Sequence, residues 1–185
     1  MLIARLSGMR ALPSKPALTT PFQWTSDPDR PPPHALAPVA LGSGERGCLF
    51  VDLALAPGLI TIGGNRRVRD EFGAELVNRL GAAARGENDR PRYAVVVAGQ
   101  PFDPDLLVVE PTRVPSLAAL EETELAPGIE ARFVACALES ADDVERIHAL
   151  AAAKDRRTIP VLVDDIVSSA WSVFAPIRPL SGLAA

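Results

Sequence analysis

The stretch Cys48–Leu80, CLFVDLALAPGLITIGGNRRVRDEFGAELVNRL, places the strongest limits on the fold of this chain. It predicts, in order, a strand, a turn, a second strand, a glycine loop and a helix. Leu59–Ile62 is continuously apolar, which is typical of a strand buried on both faces of a parallel sheet. The glycine loop begins at Gly63, and apolar residues then recur at helical spacing over Val68–Ala84. A loop that joins a parallel strand to a helix is a place where such folds bind phosphate.

The residues of this loop differ from those of an active phosphate loop, G-x-x-x-x-G-K-[ST]. Counted from Gly63, Val68 replaces the second glycine, Arg69 replaces the lysine and Asp70 replaces the hydroxyl residue. The Cβ of valine disfavours a positive φ, and a carboxylate competes with phosphate for the helix N-terminus. Two interpretations remain open: a vestigial, structural turn, and an anion or nucleotide contact made by the arginines. The candidate binding residues are Gly63, Gly64, Asn65, Arg66, Arg67 and Arg69.

A second acidic strand end lies at Asp164-Asp165, in the sequence VLVDD. It resembles the Walker B pattern, in which an aspartate at a strand end coordinates Mg²⁺. LLVVEP, in which Glu110 is the acidic residue, fits the same pattern, and aspartate is also common in the turns that follow strands. Asp164 is therefore a candidate for Mg²⁺ if a nucleotide binds, and a turn residue otherwise.

No group of residues indicates catalysis or a resident metal. Ser116 and Ser140 are explained as helix caps, and no G-x-S-x-G sequence is present. The two histidines lack the spacing of metal ligands. Cys48 and Cys136 lie in apolar runs and are predicted to be buried thiols, with a disulfide between neighbouring strands as the alternative.

Apolar runs and helical patterns alternate through the rest of the chain. The sequence from Val39 to Ala54 predicts a β-hairpin, and LLVV at Leu106–Val109 is a further short apolar run. Later strands are predicted at Tyr93–Ala98, Arg132–Leu138, Ile159–Val163 and Ala170–Phe174, with helices beginning after Ser116 and Ser140. Alternating strands and helices indicate an α/β fold with three layers, in which helices cover both faces of a mainly parallel sheet.

The 185 residues divide by composition into three parts. Residues 1–38 are predicted to form a proline-rich leader or linker, with an ordered piece around Phe22 and Trp24. Residues 39–175 are predicted to form the α/β domain, and residues 176–185 a flexible tail. Two roles of the leader remain open: a spacer, and a proline-rich ligand for a protein partner.

Charge and hydropathy limit the partners of the protein. The formal net charge is −4 and the pI is about 5.2, which argues against a nucleic-acid footprint. No apolar run approaches the ~20 residues of a membrane span, and the first residues lack the apolar region of a signal peptide. A soluble, cytoplasmic protein is therefore expected.

The succession FVDLALAPGLITIGGNRRVRDEFGAEL resembles a segment of the FtsK/SpoIIIE-type motor ATPases, including those of type VII secretion. It is more similar to the degenerate copies of that domain in large bacterial regulators that also carry LysM-type and BTAD-type segments. The resemblance extends over Val39–Phe174 and includes VLVDDIVSSAWSV near its end. The chain departs from active members at the glycine, lysine and hydroxyl positions of the phosphate loop.

The resemblance implies a P-loop-like scaffold that does not hydrolyse nucleotide and serves interaction or regulation in a larger bacterial system. On that hypothesis no cofactor is expected and the partner is a protein. The alternative hypothesis is a nucleotide-binding or weakly hydrolysing domain. It would take ATP and Mg²⁺, with Arg66, Arg67 or Arg69 on phosphate and Asp164 on the metal.

Overall fold

The computed structural model describes residues 3–5, 22–27, 30–33, 35–45, 47–56, 58–84, 92–120, 125–153, 157–164 and 171–174. Its main feature is a seven-stranded sheet in which every neighbouring pair is parallel except β1 and β10 at one edge. In spatial order its strands are β1 (Ile3–Arg5), β10 (Trp171–Phe174), β5 (Ile60–Gly63), β9 (Thr158–Leu162), β8 (Ala131–Cys136), β6 (Tyr93–Ala98) and β7 (Thr112–Val114).

A second, smaller sheet is antiparallel, and its three strands come before β5 in the sequence. Its order is β2 (Phe22–Thr25), β4 (Gly47–Asp52) and β3 (Pro38–Gly44), so the predicted hairpin is confirmed. Phe22 is half-buried against the core, whereas Trp24 is 49% exposed. Two segments of the proline-rich leader, β1 and β2, thus lie in sheets.

The helices lie on both faces of the main sheet, which confirms the three-layer α/β class. α1 (Arg66–Ala84) packs on one face in a core cluster that also includes residues of β3 and β4. α2 (Leu117–Leu120) and α3 (Ala141–Ala152) pack on the other face, where Leu120 and Ile147 are fully buried. Two 3-10 turns, Leu53–Leu55 and Pro104–Leu106, complete the described elements.

β5 is the interior strand that the sequence predicts. All its residues are buried, and it lies between β9 and β10 with parallel pairing on both sides. Burial on both faces explains its unbroken apolar character. Cys48 and Cys136 are buried free thiols, as predicted.

α1 begins at Arg66, two residues before the predicted start at Val68. The side-chain Oδ1 of Asn65 accepts a hydrogen bond from the Arg67 N–H at 3.1 Å, and the Asn65 carbonyl accepts one from the Arg69 N–H at 2.9 Å. Asparagine is among the best residues for this capping position. Most of the predicted glycine loop is therefore the first turn of a helix.

The apolar run Leu106–Val109 is not a strand. It begins at the last residue of the 3-10 turn Pro104–Leu106, and the edge strand β7 comes later, at Thr112–Val114. Asn78 of α1 holds this run: its Nδ2 donates to the Leu106 carbonyl at 2.9 Å and its Oδ1 accepts from the Val108 N–H at 2.9 Å. The backbone groups of this run therefore form hydrogen bonds with a helix side chain and not with a neighbouring strand.

Among the described residues, no helix combines the length and the hydropathy needed to cross a bilayer. The predicted flexible tail, residues 176–185, lies outside the described residues, as does Asp165.

Candidate functional site

The carboxyl ends of the parallel strands border a cleft with a cavity volume of about 510 Å³. Its walls come from the segments that follow β5, β6, β8 and β9. Because parallel strands end at the same edge of a sheet, these segments meet there although they are distant in sequence. We call this the carboxyl-edge cleft; its lining includes Arg66, Arg69, Gln100, Phe102, Leu138 and Asp164.

An ion pair joins the two sides of the carboxyl-edge cleft. Arg69 in the first turn of α1 donates through Nη1 to Oδ1 of Asp164, just after β9, at 3.0 Å. The Arg69 side chain is 15% exposed and that of Asp164 is 34% exposed. The alternative hypothesis from the sequence places Arg69 on phosphate and Asp164 on Mg²⁺. The structure brings both residues to one place, where they bind each other.

The connection from β5 to α1 is short. β5 ends at Gly63 and α1 begins at Arg66, so only Gly64 and Asn65 lie between them. Gly64 has a φ of 119°, which glycine adopts without strain. The turn is then closed by the Asn65 cap on the Arg67 N–H. A phosphate cradle needs a longer run of backbone N–H groups that point at one centre.

The other two arginines of the predicted site lie on the exposed side of α1. Arg67 is 87% exposed and pairs with Glu71 at 2.9 Å, and Arg66 is 88% exposed with Asp70 3.8 Å away. Both are i,i+4 pairs on one helix, each of which typically contributes ~0.3–0.5 kcal/mol. Arg66 borders both the carboxyl-edge cleft and a neighbouring groove, and Arg67 borders that groove.

That neighbouring groove has a volume of about 500 Å³. It runs between the first turn of α1 and the segment after β6, where Asp103 and Leu106 form its far wall. We call it the α1 groove; its lining residues include Asn65, Arg66, Arg67, Asp70 and Glu71. Of the predicted site residues, Asn65 and Arg67 line the α1 groove, Arg69 and Asp164 line the carboxyl-edge cleft, and Arg66 lines both.

The wall of the carboxyl-edge cleft that follows β8 is fixed by a buried carboxylate. Asp143 in the first turn of α3 accepts hydrogen bonds from the N–H groups of Glu139 at 3.1 Å and Ser140 at 2.9 Å. Burial acts to raise the pKa of Asp143, but a hydrogen bond with the Ser140 side chain, the two backbone hydrogen bonds and nearby Arg146 together outweigh burial and lower the pKa. Asp143 therefore stays ionised and holds the turn that presents Leu138.

Sequence reasoning missed several residues that shape this edge. Phe102 is 6% exposed. The helix α1 packs closely against it at Gly73, where an added Cβ would lie 3.2 Å from the Phe102 ring and 3.0 Å from Val163. Asn78 is another such residue. The sequence gives one indication of its role, a polar residue within the apolar helical pattern of α1, and the structure shows that this residue is buried.

The donor set in the described residues does not indicate a metal centre. Within the described part of the chain, no three His, Cys, Asp or Glu side chains lie close enough together to hold an ion. An anion in the carboxyl-edge cleft would meet Arg66 and Arg69, and Arg69 would have to share its guanidinium with Asp164.

Comparisons of the chain with protein-family models, with curated proteins and with solved structures gave no match.

Proposed function

We propose that this chain is a P-loop-like α/β module that does not hydrolyse nucleotide and serves an interaction or regulatory role in a larger bacterial system, in the cytoplasm. The observation that carries the proposal is the two-residue connection, Gly64-Asn65, between β5 and α1. The resemblance to degenerate FtsK/SpoIIIE-type domains supplies the class, and the short connection supplies a physical reason for the absence of hydrolysis.

Two contacts oppose the binding of a triphosphate at this connection. Asn65 already occupies the Arg67 N–H, which a bound phosphate would otherwise use. Asp164 already occupies Arg69, which stands at the lysine position of the motif. A nucleotide would have to displace both acceptors. The site also lacks a hydroxyl ligand for Mg²⁺, because Asp70 stands at that position.

Isothermal titration of the full chain with ATP and Mg²⁺ tests this proposal. We expect no saturable heat up to millimolar nucleotide, and no phosphate release in a parallel assay. Micromolar affinity for ATP would overturn the proposal.

The alternative is a nucleotide-binding domain, and the carboxyl-edge cleft with Arg66 and Arg69 on its wall is the observation in its favour. If Asp164 holds Mg²⁺, Asp164→Ala should weaken ATP binding. If Asp164 only neutralises Arg69, the same change should tighten it. Arg69→Ala should abolish binding in either case, and Arg67→Ala, on the exposed side of α1, is the matched control. Nucleotide affinity that survives both Arg69→Ala and Asp164→Ala would exclude these two residues as ligands.

The proline-rich leader is a separate candidate for contact with a protein partner. Deleting residues 1–38 would also remove β1 and β2, which pair with β10 and β4. Changing the exposed residues Pro31 and Pro33 to serine leaves both strands in place. Loss of a co-purifying partner in this variant would support a docking role, and an unchanged partner would exclude it.

A further inference from the structure

The segment between β6 and β7, residues 99–111, exposes apolar side chains on a loop. We call it the β6–β7 loop. Val108 is 88% exposed and Leu106 is 38% exposed, whereas the alternate residues Leu107 and Val109 pack against the core. The loop thus has one face that anchors it and one apolar face that points to solvent.

The backbone of this exposed face is held in place by α1. Asn78, which is 9% exposed, bonds the Leu106 carbonyl and the Val108 N–H, and its Oδ1 lies 3.4 Å from the Val109 N–H. Gly81 lets α1 approach the loop, since a Cβ there would lie 2.9 Å from the Val109 side chain. A loop that is already ordered loses little conformational entropy when a partner binds.

The charged residues within the β6–β7 loop are all acidic, although Arg113, two residues beyond the loop, is also exposed. Asp103, Asp105 and Glu110 are all exposed, and the β6–β7 loop contains no lysine, arginine or histidine. Across the α1 groove, Arg67 is matched by Glu71 and Arg66 by Asp70. The loop therefore carries a local excess of negative charge, which disfavours anionic lipid and nucleic acid and favours a basic partner.

We propose that the β6–β7 loop is a docking element for a basic, amphipathic segment of a partner protein. An apolar side chain of that segment enters the α1 groove beside Leu106 and contacts Val108. Its flanking lysine or arginine residues meet Asp103, Asp105 and Glu110. This inference rests on the proposed function, because it names the surface through which an interaction module would act.

A library of random 12-residue peptides displayed on phage, selected on the full-length chain, tests the proposal. We expect enriched peptides to carry one or more apolar residues flanked by lysine or arginine. A fluorescent synthetic copy of an enriched peptide then gives dissociation constants by anisotropy at two salt concentrations. Binding should weaken at higher salt because the rim charges are solvent-exposed.

Matched surface variants locate the binding site. Leu106→Ser and Val108→Ser should each weaken peptide binding about tenfold or more, as at the centre of an interface. Leu55→Ser is the control, because Leu55 is 39% exposed, close to the 38% of Leu106, and belongs to a different element, the 3-10 turn Leu53–Leu55. Asp103→Asn with Glu110→Gln should reduce the salt dependence. Far-UV circular dichroism checks that each variant is folded.

Three outcomes would overturn the proposal: no enrichment of peptides, enrichment of acidic peptides, or enriched peptides whose affinity is unchanged by Leu106→Ser and Val108→Ser. Binding of phosphatidylglycerol vesicles or single-stranded RNA in place of basic peptides would also overturn it. The nucleotide titration is independent of these results. Failure of the docking element with no ATP binding would leave the proposed function standing, whereas ATP binding would overturn the proposed function whatever the peptide selection gives.

Discussion

Arg69 and Asp164 are separated by 94 intervening residues, yet Nη1 of the first lies 3.0 Å from Oδ1 of the second. The pair links the start of α1 to the end of β9 across the carboxyl-edge cleft. The ion pair has two consequences. It occupies the arginine that a phosphate would need, and it holds α1 against the sheet.

We expect Arg69→Gln to lower the free energy of unfolding by about 1 kcal/mol, because a partly buried ion pair is lost and Asp164 can still be hydrated. Arg67→Gln, in the same turn but 87% exposed, should change it by less than about 0.5 kcal/mol. Urea unfolding followed by tryptophan fluorescence measures both. A double-mutant cycle of Arg69 with Asp164 that gives no coupling would show that the ion pair does not contribute to stability.

Asp52 is a buried carboxylate that holds three backbone N–H groups in place. It is 7% exposed and accepts hydrogen bonds from the N–H groups of Leu36, Ala37 and Ala54, each at 3.0 Å. Asp52→Ala leaves these donors without an acceptor and should cost about 2–4 kcal/mol of stability. Asp52→Asn keeps one oxygen and should cost less. Asp103→Ala, which removes a single bond to the Asp105 N–H at an exposed turn, is the control and should cost less than about 1 kcal/mol.

Asn78→Ala should release the β6–β7 loop from α1. The Leu106 carbonyl and the Val108 N–H would then bond to water, and we expect a stability loss of about 1–2 kcal/mol. Amide exchange at Val108 should accelerate by at least tenfold. Asn65→Ala removes a local cap and should cost about 1 kcal/mol without a change in exchange at Val108. Equal exchange in the wild type and Asn78→Ala would contradict the role of Asn78.

Stability should depend on pH through Asp143, whose pKa is lowered in the folded protein. A carboxylate with a lowered folded pKa contributes its full stabilisation above its unfolded pKa, about 3.9. That contribution is lost as the pH falls from there through the folded pKa. Asp143→Asn should therefore flatten the loss of stability below about pH 4, measured as urea midpoints. Glu75→Gln is the control, because Glu75 is 51% exposed and pairs locally with Arg79 on α1. Parallel pH profiles for Asp143→Asn and wild type would exclude Asp143 as the titrating group.

The two thiols should be inert in the native protein. Burial raises the pKa of Cys136 to about 12, so almost no thiolate forms at pH 8, and Cys48 is 3% exposed. Ellman's reagent at pH 8 should detect no thiol before unfolding and both thiols in guanidinium. The Cys48→Ser variant isolates Cys136. Prompt reaction of that variant under native conditions would contradict the burial of Cys136.

The sequence predicts much of the architecture because its interior strands are continuously apolar. β5, β6, β8 and β9 were recognised from such runs, and the cap at Ser140 marked the start of α3. β7 was missed because Pro111-Thr-Arg-Val-Pro115 is short and polar, as suits an exposed edge strand.

The candidate site was predicted only in part, for a different reason. Asp164 and Arg69 were both selected by their positions at strand and helix ends, but single-sequence patterns do not give the order of strands in a sheet. That order puts the end of β9 beside the end of β5. The Asn65 cap could have been predicted, since asparagine two residues before Arg67 is a typical helix start. The β6–β7 loop could not, because LLVV alone does not distinguish a buried strand from an anchored loop.

The pairing of β1 with β10 has a consequence for how the molecule assembles. The register places Ile3 opposite Phe174, so this contact closes nearly the whole chain into one loop. Closing so long a loop carries a large entropy cost that only the preformed sheet can offset, and β1 should therefore join the sheet late in folding. Until it does, β10 presents an unpaired edge to other chains. During refolding, β1 thus covers the edge that β10 would otherwise expose.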